Sequence, residues 1–222
     1  MSEYLSLLVG KFAEVSPWVW ITCAVLLALG VLGVVILRKQ KRKPLSTKAL
    51  VYGALCVAIA FVLSCIRIVR LPQGGSITLA SMLPIVVYSW IFGPVAGVIS
   101  GVAYGMLQLL QDFAVVHPLQ LLLDYPVAFG VLGLAGCFKK HLPVGVVLGM
   151  ALRFVCHFIT GMVFFGEYAP EGQPVWLYSL GYNGSYMLVE CIICVAVVML
   201  PPVKRFLERL RIQARQATVA SR

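Results

Sequence analysis

The sequence predicts an all-α integral membrane protein, and three observations support that prediction. Of its 222 residues, 61% are hydrophobic and only 12% are charged, with a mean hydropathy of +0.96. The apolar residues gather in stretches of about 20, the length that a helix needs to cross about 30 Å of hydrocarbon. Clusters of Lys and Arg lie at every second loop or end of these stretches. Because little sequence remains between them, we expect one membrane domain with no soluble catalytic module.

Seven stretches are candidate transmembrane helices, and in chain order they are 17–37, 49–69, 77–92, 94–112, 119–138, 142–165 and 176–200. The first is too long for a signal peptide and its basic cluster follows it, so it is predicted to be a membrane anchor. The third and fourth are short and share Gly93-Pro94, which predicts a tight hairpin. The expected organisation is an extra N-terminal helix with a basic linker (1–44), a six-helix membrane domain (45–205) and a basic cytoplasmic tail (206–222).

The net charge of +10 is unevenly distributed, and its distribution predicts the orientation in the membrane. Six Lys and Arg lie in Arg38–Lys48, two at Lys139-Lys140 and six in Lys204–Arg222, which is 14 of the 18. By the positive-inside rule the N-terminus is outside and the C-terminus is cytoplasmic. A nucleic-acid surface would need these charges on one folded face, so no nucleic-acid partner is expected.

Three polar residues, Asp124, His157 and Asn183, interrupt separate apolar stretches at nearly the same depth. At 1.5 Å per residue they lie roughly 9, 12 and 10 Å below the expected outer ends. A charged group in hydrocarbon costs about 2.5–3.5 kcal/mol on insertion scales, so it needs a partner or a function. Tyr125 and Tyr178 lie nearby in sequence. A carboxylate, an amide, an imidazole and aromatic faces together suit a cationic heteroaromatic ligand.

Purely structural roles stay open for the same residues. Asp124 could pair with Arg153, and His157, four residues from Arg153, could be a satisfied core histidine. Asn183 could form an interhelical hydrogen bond. The sequence does not decide the role of Arg153 or of Glu190, and Asp112 at an external helix end needs no special role.

Small residues spaced by four predict two close helix contacts. The ridge Gly93, Gly97, Gly101 and Gly105 is expected to pack within the bundle. Ala54 and Ala58 suit internal packing and contact with a partner equally well.

Neither an ATPase nor another enzyme is indicated by the motifs. No phosphate-binding loop of the form G-x-x-x-x-G-K-[ST] is present, so the chain is not expected to hydrolyse ATP by itself. The seven Cys lie in or beside apolar stretches, which predicts packing roles with no metal site. A membrane-embedded enzyme using Asp124 and His157 as acid and base is the alternative, but no nucleophile or second carboxylate is expected at that depth.

Five motifs occur in an order that is specific for one family. They are Leu71-Pro-Gln-Gly-Gly-Ser76, His117-Pro-Leu-Gln-Leu-Leu-Leu-Asp-Tyr125, His157-Phe-Ile-Thr-Gly161, Gly166-Glu-Tyr-Ala-Pro170 and Val175-Trp-Leu-Tyr-Ser-Leu-Gly-Tyr-Asn183. Together they resemble the thiamine-specific substrate-capture component (S component, ThiT type) of energy-coupling-factor (ECF) vitamin transporters. The resemblance covers about residues 45–205, and the helix at 17–37 has no counterpart in it.

The resemblance implies a six-helix S-component core in the plasma membrane that binds thiamine from outside without chemical change and without a cofactor. It implies delivery through a transmembrane coupling subunit and two ATPase subunits. The residues implied to contact the ligand are Asp124, Tyr125, His157, Phe165, Tyr178 and Asn183. The implied lid consists of Gln73, Gly74, Gly75 and Ser76, and the implied docking face contains Ala54 and Ala58.

The sequence departs from the family pattern at two ligand positions. Some relatives carry an acidic residue early in the second core helix, whereas Ser76–Ser81 contains none, so charge balance would rest mainly on Asp124. A tryptophan of some relatives is Phe165 here. The alternative ligand is another vitamin or a thiamine precursor, such as pyridoxine or hydroxymethylpyrimidine.

Overall fold

The computed structural model describes residues 45–112 and 115–220, and the predicted segment 1–44 lies outside these residues. Five helices in the described part are long and apolar enough to cross a membrane. They are α1 (Thr47–Cys65), α3 (Pro94–Gln111), α4 (Pro118–Cys137), α5 (Leu142–Phe164) and α6 (Val175–Met199). The shorter apolar helix α2 (Leu83–Phe92) lies between α1 and α3, and α7 (Pro201–Ala220) follows α6. The prediction of an all-α membrane protein is confirmed.

A small β-hairpin separates α1 from α2, and the predicted helices 49–69 and 77–92 are wrong at these facing ends. Strand β1 (Arg67–Arg70) pairs antiparallel with β2 (Ser76–Thr78), and α2 begins only at Leu83. Branched side chains favour strands, and a proline followed by two glycines favours a turn. Because Ile68, Val69 and Ile77 directly adjoin the apolar helices, hydropathy alone could not separate strand from helix at these ends.

Helix α4 is irregular where it carries the candidate ligand residues. Pro126 removes a backbone donor, and the chain forms a π-helical turn over Leu123–Val127. Asp124 and Tyr125 are buried within that turn. A 3-10 segment, Val131–Cys137, completes the helix. The π-turn therefore sets the direction in which the acidic side chain points.

Three members of the glycine ridge, Gly97, Gly101 and Gly105, pack inside the bundle as predicted, whereas Gly93 does not. A Cβ atom on Gly97 would meet Gly133, and one on Gly101 would meet the backbone of Phe129. One on Gly105 would meet the carbonyl of Tyr125. These contacts bring the backbones of α3 and α4 together, so the ridge positions the π-turn. Gly93, with a φ of 99°, makes the predicted turn between α2 and α3.

Helix α7 contains most of the segment predicted as a cytoplasmic tail. The expected domain boundary between residues 205 and 206 falls inside this helix. Its Leu207 and Ala214 belong to the buried core cluster. The chain beyond α6 is therefore helical over its described length and packs on the bundle through Leu207 and Ala214.

Candidate ligand-binding cavity

One cavity opens at the end of the bundle that carries the β-hairpin. Its space, including the open mouth, is ≈ 970 Å³. The hairpin, the end of α3, and α4, α5 and α6 all contribute to its walls. The predicted ligand and lid residues all line this cavity: Gln73, Gly74, Gly75, Ser76, Asp124, Tyr125, His157, Phe165, Tyr178 and Asn183.

Asp124 is buried in the cavity wall, with 7% of its surface exposed. Its Oδ1 lies 3.0 Å from Nδ1 of His157 and accepts a hydrogen bond from Thr160 Oγ1 at 2.6 Å. Its Oδ2 accepts one from Gln120 Nε2 at 2.7 Å. The carboxylate is thus held by one imidazole and two neutral donors, and none of these three residues carries a permanent positive charge.

The three polar residues predicted at one depth meet in the structure. Asn183 Nδ2 donates to the backbone carbonyl of His157 at 3.1 Å, and His157 in turn contacts Asp124. Gly161 makes this approach possible, because a Cβ there would collide with Ser179 and crowd Asn183. With Nδ1 of His157 directed at Asp124, its buried Nε2 has no hydrogen-bond partner among the described residues. That nitrogen is available to a group bound in the cavity.

Arg153 does not form the pairing with Asp124 that the sequence left open. Its guanidinium lies over the ring of Phe129, 4.5 Å from the centroid, and Nη1 donates to the sulfur of Met82 at 3.4 Å. Arg153 is buried and lines the cavity. The cavity therefore contains a cationic side chain distinct from the Asp124 cluster.

Aromatic side chains line the mouth of the cavity on the α6 side. Tyr178 and Tyr182 stack with ring centroids 5.9 Å apart, and Tyr186 meets Tyr182 edge-on at 5.8 Å. Phe165, at the end of α5, also lines the cavity and lies 6.2 Å from the ring of Tyr168. These rings offer faces to a flat or cationic ligand.

The expectation that Asp112 needs no special role is wrong, because Asp112 lines the cavity. Its carboxylate forms an ion pair with Arg67, with Nη1 donating at 3.0 Å, and its backbone carbonyl accepts from the Tyr125 hydroxyl at 2.6 Å. Since Arg67 compensates its charge, Asp112 adds little net negative charge to the cavity. Asp124 stays the main candidate to balance a cation.

The predicted lid is the turn of the β-hairpin, and it needs unusual backbone angles. Gln73 and Gly74 have φ values of 59° and 91°, a region that suits glycine best. Gly75 has an ordinary φ, but a Cβ there would press against the Tyr182 hydroxyl. That hydroxyl accepts from the Gly75 amide at 2.9 Å and donates to the carbonyl of Pro72. Tyr182 therefore holds the turn over the cavity.

Glu190 fixes the other end of the hairpin. This almost fully buried residue accepts from the backbone amide of Thr78 at 3.3 Å and from the Thr78 hydroxyl. Thr78 Oγ1 lies 2.7 Å from the Ser81 hydroxyl. Glu190 and Tyr182 are eight residues apart on α6, so one helix holds the hairpin at its base and at its turn.

Sequence reasoning missed several residues that support the cavity. Gln120 precedes Asp124 by four residues, a spacing that places both side chains on one helix face. Gln120 could therefore have been predicted as a neighbour of Asp124. Thr160 is three residues from His157, so these two side chains could likewise have been predicted on one helix face. The partnership of Arg67 with Asp112 spans 45 positions, and only the folded chain shows it.

Ala54 and Ala58 lie on the outer surface of α1 and not in the bundle interior. Gly53, the buried neighbour of Ala54, faces the Tyr88 hydroxyl instead. Exposed apolar residues continue the outer face along the helix: Val51, Leu55, Ile59 and Val62. Among the described residues the internal packing considered for these two alanines is therefore wrong, and their face is exposed to lipid or a partner.

The geometry of the fold and cavity narrows the class of protein. The fold and cavity define a multi-pass helical membrane protein that encloses a polar, aromatic-lined site for a small molecule. The family model described as thiamine transporter protein (Thia_YuaJ) matches residues 50–208. The chain belongs to this thiamine transporter family.

Individual relatives agree with the family match. The thiamine transporter ThiT of Bacillus subtilis is 40% identical over 166 residues, which cover 66% of this chain and 86% of that protein. ThiT of Lacticaseibacillus paracasei is 34% identical over 137 residues, covering 53% and 68%. A solved structure of ThiT from Listeria monocytogenes has a TM-score of 0.60 at 26% identity, covering 69% of this chain and 94% of the other.

Proposed function

We propose that this protein captures thiamine in the cavity and delivers it, unchanged, to an ATP-driven ECF transporter complex. The observation that carries the proposal is Asp124, a buried carboxylate at the cavity wall held by Gln120, Thr160 and His157. A buried carboxylate without a permanently charged cation in direct contact is costly, and a bound thiazolium ring would supply one. Membership of the thiamine transporter family supports the same ligand.

The chemistry of thiamine matches the remaining groups in the cavity. Its aminopyrimidine ring carries donors and acceptors that suit Asn183 and the free Nε2 of His157. Its rings are flat and one is cationic, which suits the faces of Phe165 and Tyr178. Tyr125, whose hydroxyl is fixed by Asp112, closes the α4 side of the site. These contacts are proposed roles for the lining residues.

Titration of the purified protein with thiamine, followed by tryptophan fluorescence and calorimetry, tests the proposal. We expect saturable binding at or below micromolar thiamine, with the compound recovered unchanged. Pyridoxine and hydroxymethylpyrimidine should compete more weakly than thiamine. A tighter competitor would reassign the ligand, and recovery of a converted product would favour the enzyme alternative instead.

We place the cavity at the extracellular surface and the C-terminus in the cytoplasm. The described basic residues Lys48, Lys139, Lys140 and Lys204 lie at the ends of helices opposite the cavity, which the positive-inside rule assigns to the cytoplasm. Uptake from outside needs this orientation. In a background with the native cysteines replaced, including the exposed Cys65, single cysteines are introduced at Gly172 in the cavity-side loop and at Gln216 in α7, and a membrane-impermeant reagent should modify only the former in intact cells.

The outer face of α1 is proposed to dock onto the coupling subunit. Small side chains at Ala54 and Ala58 let a partner helix approach closely. We expect Ala54→Leu and Ala58→Leu to reduce co-purification with the coupling and ATPase subunits several-fold while thiamine affinity is unchanged. Ala103→Leu, at an exposed position on α3, is the matched control and should have no effect. Equal co-purification of all three variants would remove α1 from the docking face.

The hairpin turn at Gln73–Ser76 is proposed to act as a lid that Tyr182 keeps closed. Tyr182→Phe removes the hydrogen bonds to Pro72 and Gly75 but keeps the ring. A net hydrogen bond contributes about 1 kcal/mol, so we expect thiamine to dissociate about fivefold faster or more. Stopped-flow measurement of dissociation tests this. Tyr168→Phe, at an exposed tyrosine, is the control, and identical rates in both variants would contradict the role of Tyr182.

A further inference from the structure

Helix α7 is an amphipathic helix fixed against the end of the bundle opposite the cavity. It begins one residue after α6 ends, so its first turn lies where the chain leaves the membrane. Leu207 and Ala214 are buried, and Val203 and Leu210 pack against the same core cluster. Its position on the protein is thus set by a continuous apolar face.

A specific junction joins α7 to the loop between α4 and α5. The guanidinium of Arg211 lies over the ring of Trp90, 4.1 Å from the centroid, and Nη1 donates to the carbonyl of Lys139 at 2.8 Å. The same carbonyl accepts from Trp90 Nε1 at 3.1 Å. These contacts bring Lys139-Lys140 beside α7, although the two segments are about 70 positions apart in the sequence.

The solvent-accessible part of this assembly is strongly basic. Five Lys and Arg residues with exposed side chains lie on it: Lys139, Lys140, Lys204, Arg205 and Arg209. Glu208 is the acidic residue of α7. Two large apolar side chains, Phe206 and Ile212, are also exposed among the bases, at 61% and 57%. Exposed apolar side chains of this size have no favourable contact on a helix face that meets only water. The boundary between lipid headgroups and acyl chains accommodates both the basic and the apolar side chains.

We propose that α7 and the Lys139-Lys140 loop form a binding surface for anionic phospholipid headgroups. Basic residues directly beside the end of a membrane helix attract anionic lipids, and exposed apolar side chains insert at the same level. The surface is separate from the cavity and is built of residues that do not line it. The inference goes beyond thiamine capture and does not depend on it.

Native mass spectrometry of the full chain in non-ionic detergent tests the proposal. Phosphatidylglycerol and phosphatidylcholine with the same acyl chains are added in equal amounts, and the ratio of bound lipids is measured. The wild type should retain phosphatidylglycerol preferentially. The triple variant K204Q/R205Q/R209Q should lose about tenfold or more of this preference, and E208Q should increase it.

Matched single substitutions separate a local surface from a general effect of net charge. R205Q and R70Q each remove one exposed base, but Arg70 lies in the hairpin at the opposite end. We expect R205Q alone to lower the preference, with thiamine binding unchanged. An equal effect of both, or an unaltered ratio in the triple variant, would overturn the proposal. If the triple variant keeps its lipid preference but loses the coupling subunit, the face binds protein instead.

Discussion

Asp124→Asn is expected to weaken thiamine binding at least tenfold, which corresponds to about 1.4 kcal/mol. Asparagine keeps the size of the side chain but removes the charge that would balance the thiazolium ring. It also replaces one acceptor oxygen by a donor, which would face the donor of either Thr160 or Gln120. The loss therefore combines a missing charge interaction with a disturbed hydrogen-bond network.

Calorimetry with Asp112→Asn as the matched control separates the effects of losing the Asp124 carboxylate from a general disturbance of the cavity. Asp112 is the other carboxylate that lines the cavity, but its charge is compensated by Arg67. We expect its substitution to reduce affinity less than that of Asp124. Unchanged affinity in Asp124→Asn would remove this residue from the ligand site, whereas equal losses in both variants would show that the cavity responds to any lost carboxylate.

Gly105→Ala is expected to destabilise the bundle by about 1–3 kcal/mol, the usual cost of overpacking. The added methyl group would collide with the backbone carbonyl of Tyr125, which cannot move without displacing the π-turn of α4. Because the same turn carries Asp124, thiamine affinity should fall together with stability. A thermal unfolding series in detergent, with and without thiamine, measures both effects.

Gly181→Ala is the control for the effect of replacing a helical glycine. A Cβ at Gly181 would have no neighbour within 4 Å in the described part of the chain, and the position is exposed on α6. Alanine has the higher helix propensity, by about 1 kcal/mol, so this variant should be as stable as the wild type or more so. If Gly105→Ala were equally stable, the close contact between α3 and α4 would be absent in the membrane.

The irregular segments could not be predicted from hydropathy. The hairpin strands carry Ile68, Val69 and Ile77 directly beside the apolar helices, so the ends of both helices were expected to extend into them. The π-turn at Pro126 is another case, because a proline signals a disturbance but not its form. Both segments belong to the cavity wall, so the predicted residues line the cavity, whereas the backbone conformation that presents them was not predicted.

Side-chain contacts between different helices could not be predicted from the sequence either. Arg153 was considered for Asp124 because opposite charges attract, yet it packs on Phe129 and leaves the carboxylate to His157. Glu190 had no assigned role until its contact with Thr78 appeared. Such choices depend on which helices are neighbours and how they are rotated, and a single sequence does not specify either.

The sequence by itself determined the membrane class, the family motifs and the convergence of Asp124, His157 and Asn183. It could do so because burying charged and polar groups in hydrocarbon is costly, so their few positions and spacings carry a strong signal. The tertiary structure alone decided that Arg67–Thr78 forms a β-hairpin, that this hairpin is attached to Tyr182 and Glu190, and that α7 packs on the end of the bundle. These features rest on hydrogen bonds and packing between distant segments, whose energies depend on three-dimensional contact and leave no periodic trace in the chain.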